Sequence, residues 1–360
     1  MPKRNAENLR IKRSYLVWLN EAKRLSDLSI DKAAAAIDCF EGQTKRRNFK
    51  AFHTEQARAF KRHLERSTNH RTGKPLSAAT IDGTLRELKA FFRWLADQPG
   101  YKSKITYSDA EFFNPSHRVS RQAQARTWKP HPTPEQFAHV LRTMPSTTVL
   151  QRRNRAVIAL LFLTGSRDSA AASLRLRHVD PVEGCVHFDG REVKTKFNKT
   201  FSTWFFPVGD EVRQILVDWI KELREAHLWR QDDPLFPRTR VVVGDNGGFV
   251  AAGIDRAPWS SAATIRKIFR AAFREAGLPE FTPHLVRDTL SELGSRICKT
   301  PEDIKAWSQN VGHNDVMTTL MNYGSVAPGR QAEIIVDICD VIGVLIPDGP
   351  AGHPIIVRIL

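Results

Sequence analysis

The residues of this 360-residue chain best suited to chemistry lie in one stretch towards its end. His284 and Arg287 stand three apart in PHLVRDTLSELGSRI, where apolar residues recur at helical spacing, so both polar side chains are expected on one helix face, outside the core. Thr282 as cap and Pro283 as the first helical residue form a start signal. Because the free N–H groups of a first helical turn attract anions, the pattern predicts a phosphate-binding position.

A second histidine and a tyrosine follow downstream. A short helical run is predicted to end at Gly312, and His313 comes directly after it. Asn314 and Asp315 can cap a further helix that carries Tyr323. Tyr323 also lies on an apolar stripe of that helix, so a core position is its alternative role. The order of these elements predicts that two histidines, an arginine and a tyrosine converge.

These motifs resemble the catalytic end of the tyrosine recombinases, the phage-integrase family. HLVR and VGHNDVMTTLMNYG are similar to the family's His-x-x-Arg motif and to its Leu-Gly-His motif, which Thr-Thr and a tyrosine follow. The family also has an arginine after a Leu-rich helix and a Thr-Gly turn, and LLFLTGSRDSAAASLRLRHVD supplies it as Arg167. Each piece alone is common, but the ordered set over residues 160–323 is specific. The chain is identified as a member of this family.

The resemblance implies a site-specific recombinase that cuts and rejoins DNA through a covalent 3′-phosphotyrosine, which conserves the phosphodiester energy without a cofactor. It assigns Tyr323 as the nucleophile. It assigns Arg167 and Arg287 to the extra charge on the non-bridging oxygens, which suits a planar guanidinium. His284 can exchange a proton with the tyrosine hydroxyl, and His313 can hydrogen-bond a phosphate oxygen. Taken singly, either arginine fits a structural ion pair and either histidine a core position.

In this family a lysine of the small sheet protonates the leaving 5′ oxygen, and two lysines fit that place. Glu192, Lys194 and Lys196 alternate onto one face of a predicted strand, Glu192–Phe197. The sequence KFNK, which begins at Lys196, resembles the family's Lys-Gly-x-Lys hairpin tip. Lys196 is therefore assigned as the general acid, with Lys194 as the alternative.

Two positions depart from the family's pattern. Family members commonly carry an acidic residue three positions after the first arginine, but Ala170 stands there and Asp168 follows Arg167 directly. Asp288 follows Arg287, where family members often have histidine. The first departure puts the usual support of Arg167 in question, and the second offers a carboxylate that can pair with Arg287 or its neighbours. Neither removes a catalytic group.

The charge of the chain points to a polyanionic partner. Lys+Arg 55 against Asp+Glu 39 give a net charge of +16. Double-stranded DNA is the simplest partner for such a charge, and the alternative interpretation is a basic surface that is only solvated. Residues 1–125 hold 25 basic and 13 acidic side chains, a net +12. The candidate DNA contacts in this part, each of which can equally be a solvated charge, are Lys45, Arg46, Arg47, Lys50, Arg58, Lys61, Arg62 and Arg66.

Periodicity and composition divide the chain into four parts. Residues 1–114 are predicted to form a helical domain, with about four helices over residues 5–97. Residues 115–133 are polar, basic and proline-studded, which predicts an extended linker. Residues 134–330 form the catalytic domain, and residues 331–360 an apolar tail that packs in cis or on a neighbouring protomer. The resemblance implies that the first part is a core-binding, SAM-like domain and that both domains clamp the duplex.

The predicted fold class is mainly α with a small antiparallel β-sheet, and the catalytic domain is mixed α/β. Period-two patterns predict three strands in a meander: Cys185–Phe188, Glu192–Phe197 and Thr200–Phe206. The glycine-rich segment Thr239–Trp259 is predicted to be a surface loop.

Other classes of function find less support in the sequence. The chain has no Gly-x-Ser-x-Gly elbow, no Walker-type glycine loop and no His/Cys/Asp set with metal-ligand spacing, so neither a metal nor another cofactor is expected. A type IB topoisomerase shares the chemistry but relaxes one duplex as a monomer. A catalytically silent DNA-binding accessory protein is the remaining alternative. The LTGSRD pattern and the compact helical first domain favour the recombinase over the topoisomerase, and the filled catalytic positions argue against the silent protein.

The sequence also predicts the protein's setting. Its four cysteines lie far apart, and no apolar run approaches the ~20 residues that span a bilayer. We expect a soluble, cytoplasmic, nucleoid-associated bacterial protein with no membrane partner. The resemblance implies a homo-oligomer on DNA, a dimer at each site and a tetramer in synapsis.

Overall fold

The computed structural model describes residues 5–70, 72–125 and 130–312. His313 and Tyr323, together with the predicted tail 331–360, lie outside the described residues. The chain divides into two compact units, Met1–Arg126 and Thr127–Leu360.

Helices make up the first unit. Its elements are α1 (Ala6–Glu21), α2 (Asp27–Gln43), α3 (Thr54–Arg66), α4 (Ala78–Ala96), α5 (Tyr107–Glu111) and α6 (His117–Gln124). Polar caps define where helices begin: the Asn5 side chain accepts from the first N–H groups of α1, and that of Ser77 accepts from the N–H of Thr80 in α4. The helices predicted over residues 5–97 are therefore confirmed as α1 to α4.

The core of the first unit is built on α4. Leu88, Phe91, Phe92 and Leu95 of this helix are fully buried. Phe92 meets Phe40 of α2 edge to face, with ring centroids 5.5 Å apart. The first unit therefore has an aromatic core of its own.

Helix α6 corrects the predicted extended linker, because residues 117–124 are helical. The Ser116 side chain caps α6 by accepting from the N–H of Val119, and Val119 is buried against the core of the first unit. The Ser120 hydroxyl also donates to Asp82 of α4 at 3.3 Å. A cap, one buried apolar residue and one side-chain hydrogen bond hold this helix, so the polar composition of the segment concealed it.

The second unit is a helical body with two small antiparallel sheets. Its helices are α7 (Pro134–Thr143), α8 (Val149–Thr164), α9 (Asp168–Ala171), α10 (Asp210–Glu225), α11 (Ala263–Glu275), α12 (Val286–Ile297) and α13 (Pro301–Val311). Its strands are β1 (Val179–Asp180), β2 (Cys185–Phe188), β3 (Phe201–Trp204), β4 (Pro237–Val243) and β5 (Phe249–Pro258). The first sheet has the order β1-β2-β3, and β4 pairs with β5. These helices and small sheets confirm the predicted fold class.

Helix α8 is the centre of the second unit. Every residue from Ala156 to Leu163 is at most 1% exposed, so this stretch is covered on all sides. Such a helix fixes the position of the turn that follows it. Within the described ranges, no helix combines the length and apolar character needed to cross a membrane.

The structure corrects the predicted strand Glu192–Phe197. A loop with a short 3₁₀ turn, Lys196–Asn198, joins β2 to β3 instead, and β1 is the third strand of the sheet. Phe197 and Asn198 have positive φ angles of 61° and 50°. Because strand residues have negative φ, these two cannot continue a strand.

The segment predicted to be a surface loop, Thr239–Trp259, also needs correction, because most of it belongs to the β4–β5 hairpin. Val242 pairs with Val250, and Val243 pairs with Phe249. Val243 is 67% exposed and Phe249 is 83% exposed. Since these side chains point to solvent, the hairpin lacks the alternation of buried and exposed residues that identifies a strand in a sequence.

Candidate active site

Arg167 is positioned by the turn that ends α8. Gly165 terminates the helix with a φ of 59°, in the left-handed region. The Thr164 hydroxyl donates to Leu160 O at 2.7 Å and accepts from the Ser166 N–H at 3.2 Å. A Cβ atom on Gly165 would lie 2.9 Å from Leu290 Cδ1 of α12, so a side chain here would have to displace Leu290 as well as adopt the left-handed φ that favours glycine. The turn delivers Arg167 to the first position before α9.

Arg287 enters from the beginning of α12. Thr282 and Pro283 open a 3₁₀ turn, Pro283–Leu285, which leads directly into α12. Arg287 is only 4% exposed, so the prediction that its helix face lies outside the core is wrong for this residue. Its Nη1 group donates to Gly165 O at 2.8 Å and to Val311 O at 2.6 Å. The guanidinium is buried because it binds the carbonyl ends of two other helices.

The end of α13 is held against β3. Gly312 ends the helix with a φ of 78°, as the sequence predicts. The Asn310 side chain accepts from the Trp204 N–H at 2.7 Å and donates to Trp204 O at 2.9 Å. The Thr203 hydroxyl donates to Asn310 O at 3.0 Å. The last described residues of α13 and Gly312 therefore lie beside β3 and Arg287.

The loop that carries both candidate lysines is fixed to α9 and the core. Val193 is buried in the hydrophobic core of this unit. The Lys194 N–H donates to Ser173 Oγ at 2.9 Å, and Ser173 follows α9 closely. The Glu192 carboxylate accepts from Arg177 at 2.6 Å and from the buried His178 at 3.0 Å. These contacts connect the lysine loop to α9, the helix directly after Arg167.

Arg167, Lys196 and Arg287 line one pocket, which also includes Ser166 and Thr203. None of the described residues that line it is acidic. Lys194 lies elsewhere, in a cavity of about 530 Å³. That cavity includes the carboxylates Glu192, Asp232 and Asp233 beside its arginines, so its charge is largely balanced. In the smaller pocket, no described carboxylate balances the positive charge of Arg167, Lys196 and Arg287.

The acidic neighbours of the two arginines do not neutralise them. Asp168 pairs with Arg266 of α11 instead of supporting Arg167. Asp288 makes no ion pair with Arg287 or any other described residue, although its charge raises the pKa of Arg287 somewhat. Burial, and secondly the charge of Arg167, lower the pKa of Arg287 to about 9, so it stays charged at neutral pH. Burial also lowers the pKa of Arg167.

His284 lies in the 3₁₀ turn before α12, with its side chain exposed and outside the lining of the pocket. Partial removal of the imidazole from water lowers the pKa of His284. The charge of Asp288 raises this pKa, whereas the charges of Arg287 and Arg167 lower it. Neutral imidazole is therefore favoured near neutral pH, and it can accept a proton.

The candidate DNA contacts of the first unit fall into two groups. Lys50 pairs with Glu7 at 2.8 Å, and Arg58 pairs with Glu55 and lies over the Phe112 ring. Exposed pairs of this kind are weak and can exchange for phosphate. The side chains of the following candidates make no ion pair with any described residue: Lys45, Arg46, Arg47, Lys61, Arg62 and Arg66.

Sequence reasoning missed two residues that shape the site. Ser166 lies in the pocket as a buried hydroxyl, and Asn310 ties α13 to β3. The position of Ser166 directly before Arg167 was a usable signal. Nothing in the sequence marks Asn310, because its role depends on a strand more than a hundred residues earlier.

Comparison with known proteins is consistent with this geometry. The sequence model of the phage integrase family matches residues 133–330. Tyrosine recombinase XerC of Xanthomonas axonopodis pv. citri (strain 306) is 25% identical over 306 residues, which cover 85% of this chain and 81% of the relative. Tyrosine recombinase XerD of Oceanobacillus iheyensis is 24% identical over 261 residues, covering 72% of this chain and 75% of the relative.

Solved structures show the same fold at low sequence identity. The Tn1549 transposon integrase in complex with transposon right end DNA has a TM-score of 0.61 at 16% identity, covering 91% of this chain and 99% of that one. A lambda integrase dimer bound to a COC′ core site has a TM-score of 0.60 at 15% identity, covering 88% of this chain and 78% of that one. Since the family match spans more than half of the sequence, the chain belongs to the phage integrase family, the tyrosine recombinases.

Proposed function

We propose that the protein is a site-specific DNA recombinase that cuts and rejoins DNA strands through a 3′-phosphotyrosine intermediate on Tyr323. The observation that carries this proposal is the pocket formed by Arg167, Lys196 and Arg287, which no described carboxylate lines. A buried cation without a counterion is costly for a fold. A DNA phosphate at the opening of this pocket would supply the missing negative charge.

The two arginines would act on the non-bridging oxygens of the scissile phosphate. These oxygens carry more charge in the five-coordinate transition state than in the ground state, so donors aimed at them accelerate the reaction. Arg287 Nη1 is already bound to two backbone carbonyls, while its Nη2 has no partner among the described residues. The carbonyl contacts therefore hold the guanidinium in place and leave the two N–H groups of Nη2 for the phosphate.

The remaining groups move protons. Attack of the Tyr323 oxygen forms a phosphorus–oxygen bond to the tyrosine and breaks the bond to the 5′ oxygen. We assign the phenolic proton to His284, whose depressed pKa favours the neutral, accepting form. Lys196 gives a proton to the 5′ oxygen, and His313 donates a hydrogen bond to a phosphate oxygen. Rejoining is the reverse sequence.

Double-stranded DNA and further copies of the chain are the proposed partners. The net +12 of residues 1–125 provides a non-specific electrostatic contribution to binding, with residues 1–114 as the core-binding domain. Lambda integrase has been solved as a dimer on its core site, and XerH bound to its difH substrate. We propose the same arrangement here, a dimer at each site and a tetramer in synapsis, with residues 331–360 contacting a neighbouring protomer.

The test uses a duplex selected by the wild-type protein from a random library of double-stranded DNA. A nick placed near the cleavage position lets the cut fragment diffuse away, which traps any covalent intermediate. We expect a protein–DNA adduct that resists denaturant, and exchange of strands between two intact duplexes. Binding without any adduct would support the silent DNA-binding protein. An adduct with relaxation of supercoiled DNA but no exchange would support the topoisomerase.

We expect Arg287→Lys to lower the cleavage rate by ~100-fold or more while DNA affinity changes only a few fold. The three N–H donors of lysine share one nitrogen, so they cannot span the two carbonyls at Nη1 and a phosphate oxygen at Nη2 as the planar guanidinium does. Single-turnover cleavage at saturating DNA, with binding measured separately, checks this.

Arg153→Lys is a matched control for the arginine variant. Arg153 is also buried and also donates to a carbonyl, that of Pro237 at 2.9 Å, but it lies outside the pocket. This variant should lower thermal stability without a selective loss of cleavage. Equal losses of binding and cleavage in Arg287→Lys would instead make Arg287 a docking residue.

A further inference from the structure

Ser166 carries a buried hydroxyl that the proposed function does not yet use. Its side chain is only 7% exposed, and its Oγ atom has no hydrogen-bond partner among the described residues. Buried polar groups in folded proteins nearly always have a partner, because losing water without gaining a hydrogen bond costs free energy. An exception of this kind calls for an explanation.

The unpaired atoms of the second unit are concentrated at one place. Within the described residues, the buried side-chain atoms without a partner are Ser166 Oγ, Arg287 Nη2 and Ser291 Oγ. Ser166 and Arg287 both line the pocket that contains Arg167 and Lys196, whereas Ser291 does not. Arg287 can only donate hydrogen bonds, and a hydroxyl can donate as well. Both groups are therefore matched to one acceptor with several oxygens.

The backbone of Ser166 is fixed, so its hydroxyl stays at the pocket. The Ser166 N–H is bound by the Thr164 hydroxyl at 3.2 Å, and the preceding Gly165 packs tightly against Leu290. Arg287 Nη1 is bound to Gly165 O at 2.8 Å, which joins the serine's turn directly to the arginine. These contacts restrain the backbone of the turn, so rotation about the Cα–Cβ bond of Ser166 sets where its hydroxyl points.

We propose that the Ser166 hydroxyl donates a hydrogen bond to a non-bridging oxygen of the scissile phosphate, beside Arg287. This inference rests on the proposed function and adds a neutral donor to its charged ones. The bond strengthens as charge builds on that oxygen in the transition state, so its main effect falls on the rate of cleavage. DNA affinity depends on many backbone phosphates and changes little.

The first test compares Ser166→Ala with Ser291→Ala in the full-length protein. We expect Ser166→Ala to cleave the nicked duplex about 10-fold more slowly at saturating DNA, the size of one hydrogen bond, with unchanged affinity. Ser291→Ala removes the other unpaired buried hydroxyl and should cleave at the wild-type rate. Neither variant should melt below the wild type, because each removes a polar group that has no protein partner.

The second test separates a phosphate contact from a structural role. Sulfur accepts hydrogen bonds weakly. Each of the two phosphorothioate diastereomers at the scissile position therefore replaces one non-bridging oxygen by a poorer hydrogen-bond acceptor. We expect one diastereomer to slow the wild type but to slow Ser166→Ala much less, because the variant has already lost that bond. The other diastereomer should slow both proteins equally. This non-additivity is the signature of a direct pair.

Three outcomes would overturn the inference. If Ser166→Ala cleaves at the wild-type rate, the role of Ser166 is wrong while the proposed function stands. The same follows if each phosphorothioate diastereomer slows Ser166→Ala by as large a factor as it slows the wild type. A wild-type protein that binds its selected duplex but forms no adduct overturns the proposed function, and the role of Ser166 with it.

Discussion

Replacing Tyr323 by phenylalanine is expected to abolish the covalent protein–DNA adduct completely. Phenylalanine keeps the ring and removes only the oxygen that would attack phosphorus, so the covalent bond to residue 323 cannot form. DNA affinity should stay within a few fold, because the substitution leaves unchanged the arginines and the basic first unit, to which we assign the phosphate contacts. The measurement is the denaturant-resistant adduct on the nicked duplex, alongside binding of the intact duplex.

Tyr107→Phe is the matched control for the nucleophile variant. Tyr107 is exposed at the start of α5, and its hydroxyl donates to Asp97 within the first unit. This variant should form the adduct at the wild-type rate. An adduct that persists in Tyr323→Phe would show that another residue is the nucleophile and that the family motif was aligned incorrectly.

The parts of the site that could be predicted depend on local sequence. Pro283 and Gly312 fix where helices begin and end through their own backbone preferences, and the structure has both boundaries as predicted. The Thr-Gly turn before Arg167 is local in the same sense. Ordered motifs of this kind identify the candidate residues and their order along the chain. The structure adds that Arg167 and Arg287 line one pocket.

The errors arise where distant contacts decide the structure. Glu192 to Phe197 alternates like a strand, but Val193 is drawn into the core and Glu192 binds Arg177 and His178. The alternation is present in the sequence, but the partners that override it lie outside the segment, 15 and 14 residues from Glu192. Arg287 was expected outside the core for a similar reason, because its carbonyl partners belong to α8 and α13.

The structures of α6 and of the β4–β5 hairpin were predicted wrongly for a different reason. In α6 only Val119 is buried, so eight helical residues contain too few apolar positions to show a period. The β4–β5 hairpin exposes apolar residues along its strands, and its glycines suggested a loop. Burial patterns predict elements that pack against a core, and both of these elements make little use of one.

The assignment of Lys196 as general acid gives the second large effect. Lys196 lines the pocket of Arg167 and Arg287, whereas Lys194 lines the separate, charge-balanced cavity. Without a proton donor the 5′ oxygen must leave as an alkoxide, so Lys196→Ala should slow cleavage of normal DNA by roughly 1,000-fold, within the range for general acid catalysis. Lys194→Ala is the matched control, two residues away in the same loop, and should behave like the wild type.

A substrate with sulfur in place of the bridging 5′ oxygen isolates the proton-transfer step. A thiolate leaves readily without protonation, so Lys196→Ala should recover most of its cleavage rate on this DNA. Arg287→Lys should not recover, because its defect concerns the non-bridging oxygens. Loss of activity in Lys196→Ala on both substrates would make the lysine a phosphate contact. Recovery by Lys194→Ala instead would place the acid two residues earlier, and would require the loop to leave the position in which the Lys194 N–H is bound by Ser173.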